Sequence, residues 1–319
     1  MTTPLTRRLA GITVAGVTAL ALAACGGTDE ASDADVTAVA SFYPLQFVTE
    51  RIGGDHVAVQ SLTAAGAEPH DLTLAPQQVA DLIDADLVIY LAGFQPAVDE
   101  AITEHAPDKA LDVATATELI EGHSHEHGEE GEHAEEGHEG HHHDESGLDP
   151  HVWLDPTKLA EIAEAVADRL AETDPANESH YRAEAGTLVD ELTALDQRYQ
   201  DGLAECRSRD IVTSHAAFGY LADRYDLHQV AVSGLTPDAA PTSEAFRQVT
   251  DYVEEHGVTT VFYETLVSPD VAETIAAETG ADTAVLDPIE GLAEGSTEDY
   301  FSIMDANLAT LVTALGCES

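Results

Sequence analysis

The sequence predicts an α/β protein of two lobes, each a series of βα repeats with a mostly parallel sheet, joined by a long rigid helix. Apolar runs of strand length alternate with segments of helical spacing, such as that of Leu45, Val48 and Ile52. The alternation stops in the middle of the chain and then resumes. Because βαβα order is typical of parallel sheets covered by helices, we expect one such sheet on each side of the interruption.

Eight strands are predicted from the apolar runs. The segments between them have helical periodicity, as at Val79, Leu82 and Ile83. Four strands precede the interruption and four follow it, at residues 37–41, 57–62, 87–91, 110–113, 211–214, 229–233, 259–263 and 283–286.

A helix predicted over residues 175–205 joins the lobes. Asp155-Pro156 and Asp174-Pro175 are each predicted to place an N-cap acid before a proline at the first position of a helix. The second helix is expected to act as a strut, although a core helix of one lobe would have the same periodicity. Its apolar stripe, about eight turns long, consists of Tyr181, Ala185, Leu188, Leu192, Leu195, Tyr199 and Leu203.

The acidic composition restricts the partners that the protein could have. The chain has 61 Asp and Glu residues against 12 Lys and Arg residues, a formal net charge of −49 at pH 7. A charge of this sign argues against nucleic acid and against an anionic membrane surface, and favours cations as ligands. Salt adaptation or solubility also explains acidic residues that are spread over a folded body.

The first 35 residues predict an exported lipoprotein. Arg7 and Arg8 precede a short apolar run rich in Ala, Gly and Thr, which indicates a signal peptide over residues 1–24. The run ends in Leu-Ala-Ala-Cys, so Cys25 is expected to become the N-terminus and to carry a lipid on the outer face of the cell membrane. Residues 25–35 would then be a lipidated tether. An ordinary secretory signal with an incidental cysteine is the alternative.

The remaining chain is long enough for two lobes of ordinary size. We expect an N-terminal lobe over residues 36–174, the connecting helix over 175–205 and a C-terminal lobe over 206–319, in a monomer. Export makes Cys206 and Cys317 candidates for one disulfide in an oxidising compartment. The sequence does not show whether their Cα atoms come within bridging distance.

Residues 121–146 form a tract rich in His, Glu and Gly that interrupts the N-terminal lobe. It has too little apolar surface to offset the entropy of ordering, so we expect disorder. Imidazole suits zinc, copper and nickel, so the tract is expected to collect ions without selecting among them. A solvated acidic loop is the alternative. The histidines of this auxiliary metal loop are His123, His125, His127, His133, His138, His141, His142 and His143.

Four residues outside the tract could build an ordered metal site. His70, His215 and Asp287 each come just after a predicted strand, where open α/β sheets keep their ligand crevices, and His151 lies in an extended segment before a helix. Each could be structural when taken alone, and Asp287 could cap a turn. The coincidence of three strand ends favours a site. Glu68 is a weaker substitute for Asp287.

Five motifs connect these residues to a known family: SFYP at 41–44, GAEPHD at 66–71, DPHVWLDP at 149–156, SHAAFGY at 214–220 and LDP at 286–288. With them the chain resembles, over roughly residues 36–317, the zinc-binding solute-binding proteins of bacterial ABC importers. That resemblance implies two α/β lobes, a rigid connecting helix and a site between the lobes. It implies His70, His151 and His215 as metal ligands, with Asp287 as the fourth ligand or close to the ion.

The function implied is capture of Zn²⁺ and its delivery to a membrane permease and its ATPase, without catalysis. A histidine at position 215 favours zinc, since manganese-binding relatives tend to have a carboxylate there. Affinity should fall below about pH 6.5, where free imidazole protonates. Closure should be modest, with release through a shift of loops around His151.

Three other functions are alternatives to zinc import. A manganese- or iron-binding member of the same family is the first. A secreted zinc hydrolase is the second, but the sequence contains no His-Glu-Xaa-Xaa-His helix and no Gly-Xaa-Ser-Xaa-Gly elbow. The third is a surface adhesin or metal buffer on the same fold that works without a permease.

Overall fold

The N-terminal part of the computed structural model, which describes residues 34–122, 147–237 and 241–318, contains a sheet of four parallel strands. The strands lie in the order β2-β1-β3-β4, with Ala38 of β1 opposite Val59 of β2 and Leu87 of β3. The elements in chain order are β1 (Val36–Ala40), α1 (Tyr43–Gly53), β2 (Val57–Ser61), α2 (Pro76–Asp84), β3 (Leu87–Tyr90), α3 (Pro96–His105) and β4 (Ala110–Asp112).

The C-terminal sheet repeats this topology as β6-β5-β7-β8, again with all neighbours parallel. The prediction of eight strands in two βα-repeat lobes is therefore confirmed. The elements are β5 (Asp210–Thr213), α6 (Gly219–Tyr225), β6 (His228–Ala231), α7 (Ser243–His256), β7 (Thr260–Tyr263), α8 (Asp270–Thr279), β8 (Asp282–Val285) and α9 (Tyr300–Leu315).

Several predicted segments lie outside the described residues. They are the signal peptide at 1–24, Cys25 with the tether as far as residue 33, and all eight histidines of the tract. Within the part that the structure describes, no helix combines the length and the apolar character needed to cross a membrane.

Two helices join the sheets: α4 (Pro156–Thr173) and α5 (Glu178–Gly202). Asp155 caps α4 as predicted, since its carboxylate accepts a 2.8 Å hydrogen bond from the Thr157 N–H. The predicted N-cap at Asp174 is wrong. Asp174 instead follows the last residue of α4, and its carboxylate accepts hydrogen bonds from Asn177 and from the Tyr181 hydroxyl, so α5 begins only at Glu178.

The connecting helix α5 packs against both lobes. Every residue of its predicted apolar stripe is buried. Arg51 of α1 pairs with Glu191, while the Tyr199 hydroxyl donates a 2.7 Å hydrogen bond to the Met304 carbonyl of α9. A single hydrophobic cluster runs from β1 and α1 through α4 and α5 to Ile211 and α9. Because interiors are closely packed, a core shared in this way resists rotation of one lobe against the other.

Cys206 and Cys317 form a disulfide. It connects the chain just after α5 to the chain just after α9, across a sequence separation of 111 residues. In the chain-entropy account, a cross-link across so long a loop stabilises the fold chiefly by restricting the unfolded chain.

Replacing both cysteines, as Cys206→Ser with Cys317→Ser, should lower the free energy of unfolding by about 2 to 5 kcal/mol because loop closure is lost. Urea unfolding followed by the fluorescence of Trp153 measures the change. Metal affinity should stay the same, since the disulfide lies at the opposite end of the strands from the candidate site described below. Unchanged stability would contradict the role given to this cross-link.

Candidate metal centre

Four side chains converge between the lobes: His70, His151, His215 and Glu290. Oε1 of Glu290 lies 3.4, 3.2 and 3.1 Å from Nε2 of His70, His151 and His215, respectively. One ligand atom from each of the four lies within 4.8 Å of all the others. The relative exposure of His151 and His215 is 0%, that of Glu290 is 3% and that of His70 is 9%. Three nitrogens and one oxygen in a buried cluster suit a transition metal ion.

The topology explains why residues so distant in sequence meet. His70 lies in the loop after β2, His215 comes shortly after β5 and Glu290 lies beyond β8. His151 immediately precedes a short 3₁₀ helix at Val152–Leu154, which leads into α4. Since the carboxyl ends of parallel strands lie at one edge of each sheet, the loops that carry His70, His215 and Glu290 can meet there. The joining segment at residues 147–155, which leads into α4, brings His151 to the same place.

Carboxylates hold the outward-facing nitrogens of two histidines. Nδ1 of His151 lies 2.7 Å from Oδ1 of Asp149, which also accepts a hydrogen bond from the His151 N–H. Nδ1 of His215 lies 2.7 Å from Oε2 of Glu264, in ion-pair contact rather than in a well-aligned hydrogen bond. Partners of this kind direct Nε2 toward a metal and increase its basicity.

Gly219 and Tyr220 of the SHAAFGY motif support the Asp149 partner. A Cβ at Gly219 would lie 2.4 Å from Oδ2 of Asp149, so glycine is needed for this approach. The Tyr220 hydroxyl donates to the Asp149 carbonyl and accepts from the Ile120 N–H. Residues 120–122 pair with 147–149 in antiparallel fashion, so both ends of the His-rich tract are fixed beside His151.

Asp287, the expected fourth ligand, lies outside this cluster, and Glu290 takes the place beside the histidines. Oδ1 of Asp287 accepts a 2.7 Å hydrogen bond from the Ile289 N–H, and Oδ2 accepts one from the Thr265 hydroxyl. The carboxylate of Asp287 therefore caps a turn. The Asp-Pro pair in the sequence suggested this role as the alternative to metal binding by Asp287. Glu68, the weaker substitute, also lies outside the cluster and accepts hydrogen bonds from the N–H groups of His70 and Asp71.

The capped turn positions Glu290. Ile289 has a φ of 57°, a left-handed conformation that is strained for a β-branched residue. The Trp153 ring N–H donates a 2.7 Å hydrogen bond to the Pro288 carbonyl, and the amide of Asn307 bonds both backbone groups of Asp287. The strand end at Asp287 was a useful signal, but the sequence does not show that the chain turns so that the third residue after it faces the crevice.

The carboxylates shift the protonation of the cluster. Burial lowers the pKa of the His215 imidazole, but the charges of Glu264 and Glu290 outweigh burial and raise that pKa to about 10. Burial likewise lowers the pKa of His151, and Asp149 with Glu290 raises it above its usual range. Burial raises the pKa of Glu290, yet hydrogen bonds from the three histidines hold it well below its usual range. At neutral pH and without a bound metal ion, the cluster thus holds protons that a metal ion must displace.

The fold and the candidate site define a two-lobed binding protein with a buried cluster of metal-ligand type between its lobes. A family model described as ZnuA, zinc-uptake complex component A periplasmic, matches residues 38–314, and the chain belongs to this family.

The chain is similar to named relatives in sequence and in structure. It is 35% identical over 310 residues to the zinc-binding lipoprotein AdcA of Streptococcus pneumoniae, covering 93% of this chain and 59% of AdcA. It is 33% identical over 322 residues to the high-affinity zinc uptake system protein ZnuA of Bacillus subtilis, covering 97% of this chain and 98% of that protein. The crystal structure of the Zn(II)-bound ZnuA-like domain of AdcA superposes with a TM-score of 0.72 at 30% identity, over 88% of this chain and 99% of that domain.

Metal binding at pH 6.5 should release protons, because carboxylates raise the pKa values of His151 and His215 while a metal ion binds only the neutral form of an imidazole. Affinity should rise with pH through neutrality and toward pH 10, a window higher than that of free imidazole. Zinc titration calorimetry in two buffers of different ionisation enthalpy counts the protons. Binding without proton release would contradict the raised pKa values of these two histidines.

Glu290→Gln should weaken metal binding more than about 100-fold, since it removes the negative charge closest to all three histidines, whereas Asp287→Asn should cost about 10-fold through the turn alone. Competition with a chromogenic chelator measures both affinities. If both variants lose affinity equally, or if Asp287→Asn loses more, Asp287 rather than Glu290 is the fourth ligand.

Proposed function

We propose that this protein is the extracytoplasmic component of an ABC importer that captures Zn²⁺ and delivers it to a membrane permease and its ATPase. The buried cluster of His70, His151, His215 and Glu290 carries the proposal. These residues are the proposed metal ligands, and their number and type match those of zinc sites in proteins. The names of the relatives support the same function. One of them, the zinc uptake protein ZnuA of Bacillus subtilis, is matched over 98% of its own length.

Zinc fits the cluster better than manganese does. Manganese prefers oxygen-rich sites, whereas this cluster offers three imidazole nitrogens to one carboxylate oxygen. Copper(II) would bind such nitrogens more strongly than zinc, so discrimination has to come from geometry and from the supply of each metal.

Binding without catalysis fits the closed surroundings of the cluster. A catalytic zinc keeps an open coordination position for water or substrate, while this cluster supplies four protein ligands at relative exposures between 0% and 9%. The carboxylates nearest to the histidines are also engaged, Asp149 and Glu264 with imidazole nitrogens and Glu290 with the cluster itself. We therefore infer that the protein is not an enzyme.

Export and anchoring complete the proposal. The Leu-Ala-Ala-Cys sequence that ends at Cys25 supports a lipid anchor on the outer face of the cell membrane, and AdcA of Streptococcus pneumoniae is itself named a lipoprotein. The core that runs through both lobes favours little lobe closure, so that transfer would depend on local changes at the site.

Zinc and manganese titration calorimetry on residues 26–319 tests the proposal. One tight zinc site should disappear when His70, His151 and His215 are all replaced by Ala, with weak sites left in the tract. Deletion of residues 123–143 should lower the stoichiometry and retain the tight site, because the cluster lies outside that segment. Unchanged tight binding in the triple variant would show that the cluster is not the site.

A further inference from the structure

A buried glutamine side chain holds the backbone beside His70. Gln95 is the residue before α3, and its relative exposure is 2%. Its Nε2 atom donates a 3.1 Å hydrogen bond to the Pro69 carbonyl and a 3.0 Å hydrogen bond to the Thr63 hydroxyl, which itself donates to the Ser41 carbonyl. An amide NH₂ group has two hydrogens, and both are used here. The carbonyl of the peptide bond that leads into His70 is therefore held by a side chain at the start of α3.

A second glutamine makes the same pair of hydrogen bonds beside His215. Gln229 lies in β6, next to the strand β5 that precedes this histidine. Its Nε2 atom donates a 3.1 Å hydrogen bond to the His215 carbonyl and a 2.9 Å hydrogen bond to the Thr213 hydroxyl. The Thr213 hydroxyl also donates to the His215 carbonyl, at 2.8 Å. Each lobe thus uses one glutamine amide and one threonine hydroxyl at the loop that carries a ligand histidine.

Carboxylates bond the N–H groups of the same two histidines. Oε1 of Glu68 accepts a 3.1 Å hydrogen bond from the His70 N–H, and Oε1 of Glu264 accepts a 3.2 Å hydrogen bond from the His215 N–H. A peptide unit is planar, so hydrogen bonds at its carbonyl and at its N–H leave it little freedom to rotate. The unit between Pro69 and His70 is held at both ends in this way, and the backbone of His215 is held on both sides of its Cα atom. These bonds set the direction in which each imidazole leaves the chain.

Resting on the proposed function, we propose that Gln95 and Gln229 are positioning residues of the metal site: each side-chain amide holds the backbone of one ligand histidine. The two histidines belong to different lobes, so the two amides together set the separation of their Nε2 atoms. A tetrahedral zinc site needs its donor atoms at fixed distances from the ion, and displacement of one donor weakens binding. Both glutamines act through the backbone.

Substitution by methionine, which is similar in length but has no N–H donor in its side chain, tests the positioning. Gln95→Met and Gln229→Met should each lower zinc affinity by about 10-fold, measured by competition with a chromogenic chelator in residues 26–319. The double variant should lose about 100-fold, because each amide holds a different histidine. Gln78→Met is the matched control, since Nε2 of Gln78 donates to the Leu62 carbonyl, away from the ligand histidines. It should keep the affinity of the wild type.

A pH profile separates positioning from a loss of packing. In Gln95→Glu, the introduced carboxyl group can donate one hydrogen bond while it is protonated and none once it is ionised. Burial raises the pKa of such a group above its ordinary value of about 4.3. The affinity of this variant, divided by that of the wild type at the same pH, should therefore fall as the pH rises from about 5.5 to about 8. The same ratio for Gln95→Met should not change with pH.

The outcomes separate this inference from the proposed function. Unchanged affinity in Gln95→Met and Gln229→Met, an equal loss in Gln78→Met, or a flat pH ratio for Gln95→Glu would overturn the positioning role. Tight zinc binding by the wild type would leave the proposed function standing in each of these cases, whereas its absence would refute that function itself. Circular dichroism checks folding, and if a methionine variant misfolds, the pH ratio of Gln95→Glu decides.

Discussion

A single oxygen atom, Oε1 of Glu290, is the point on which the buried cluster depends. It lies within 3.4 Å of Nε2 of all three histidines, and the pKa values of two of them, His151 and His215, are raised. Buried charges are costly unless they are paired, and Glu290 with Asp149 and Glu264 supplies the compensating negative charge. A divalent ion that displaces protons from these histidines then meets carboxylates already placed to balance its charge. The same carboxylates that stabilise the empty cluster make it ready for a cation.

The surrounding structure serves to hold this charge arrangement in place. The ring of Trp153 packs against His151, and its N–H group bonds the turn that carries Glu290. The Tyr300 hydroxyl in turn donates to the Trp153 carbonyl, which ties the joining segment to α9. Strain at Ile289 persists because these contacts over-determine the turn. Aromatic packing and backbone hydrogen bonds thus fix the oxygen to which the histidines are matched.

The two helices that join the sheets are the rigid part of the molecule. The helices α4 and α5 lie within a core common to both lobes, which opposes large domain movement.

The sequence by itself determined the two βα-repeat lobes, the buried stripe of α5 and the three histidines that meet. These follow from local patterns: apolar periodicity, strand ends and short motifs around His70, His151 and His215. Tertiary structure alone decided that Glu290 faces the crevice while Asp287 caps the turn, because a strand-end signal locates a loop but not the direction of each side chain within it. It also decided that Asp149 and Glu264 support two of the histidines, since such pairings depend on distances between segments that no local pattern encodes.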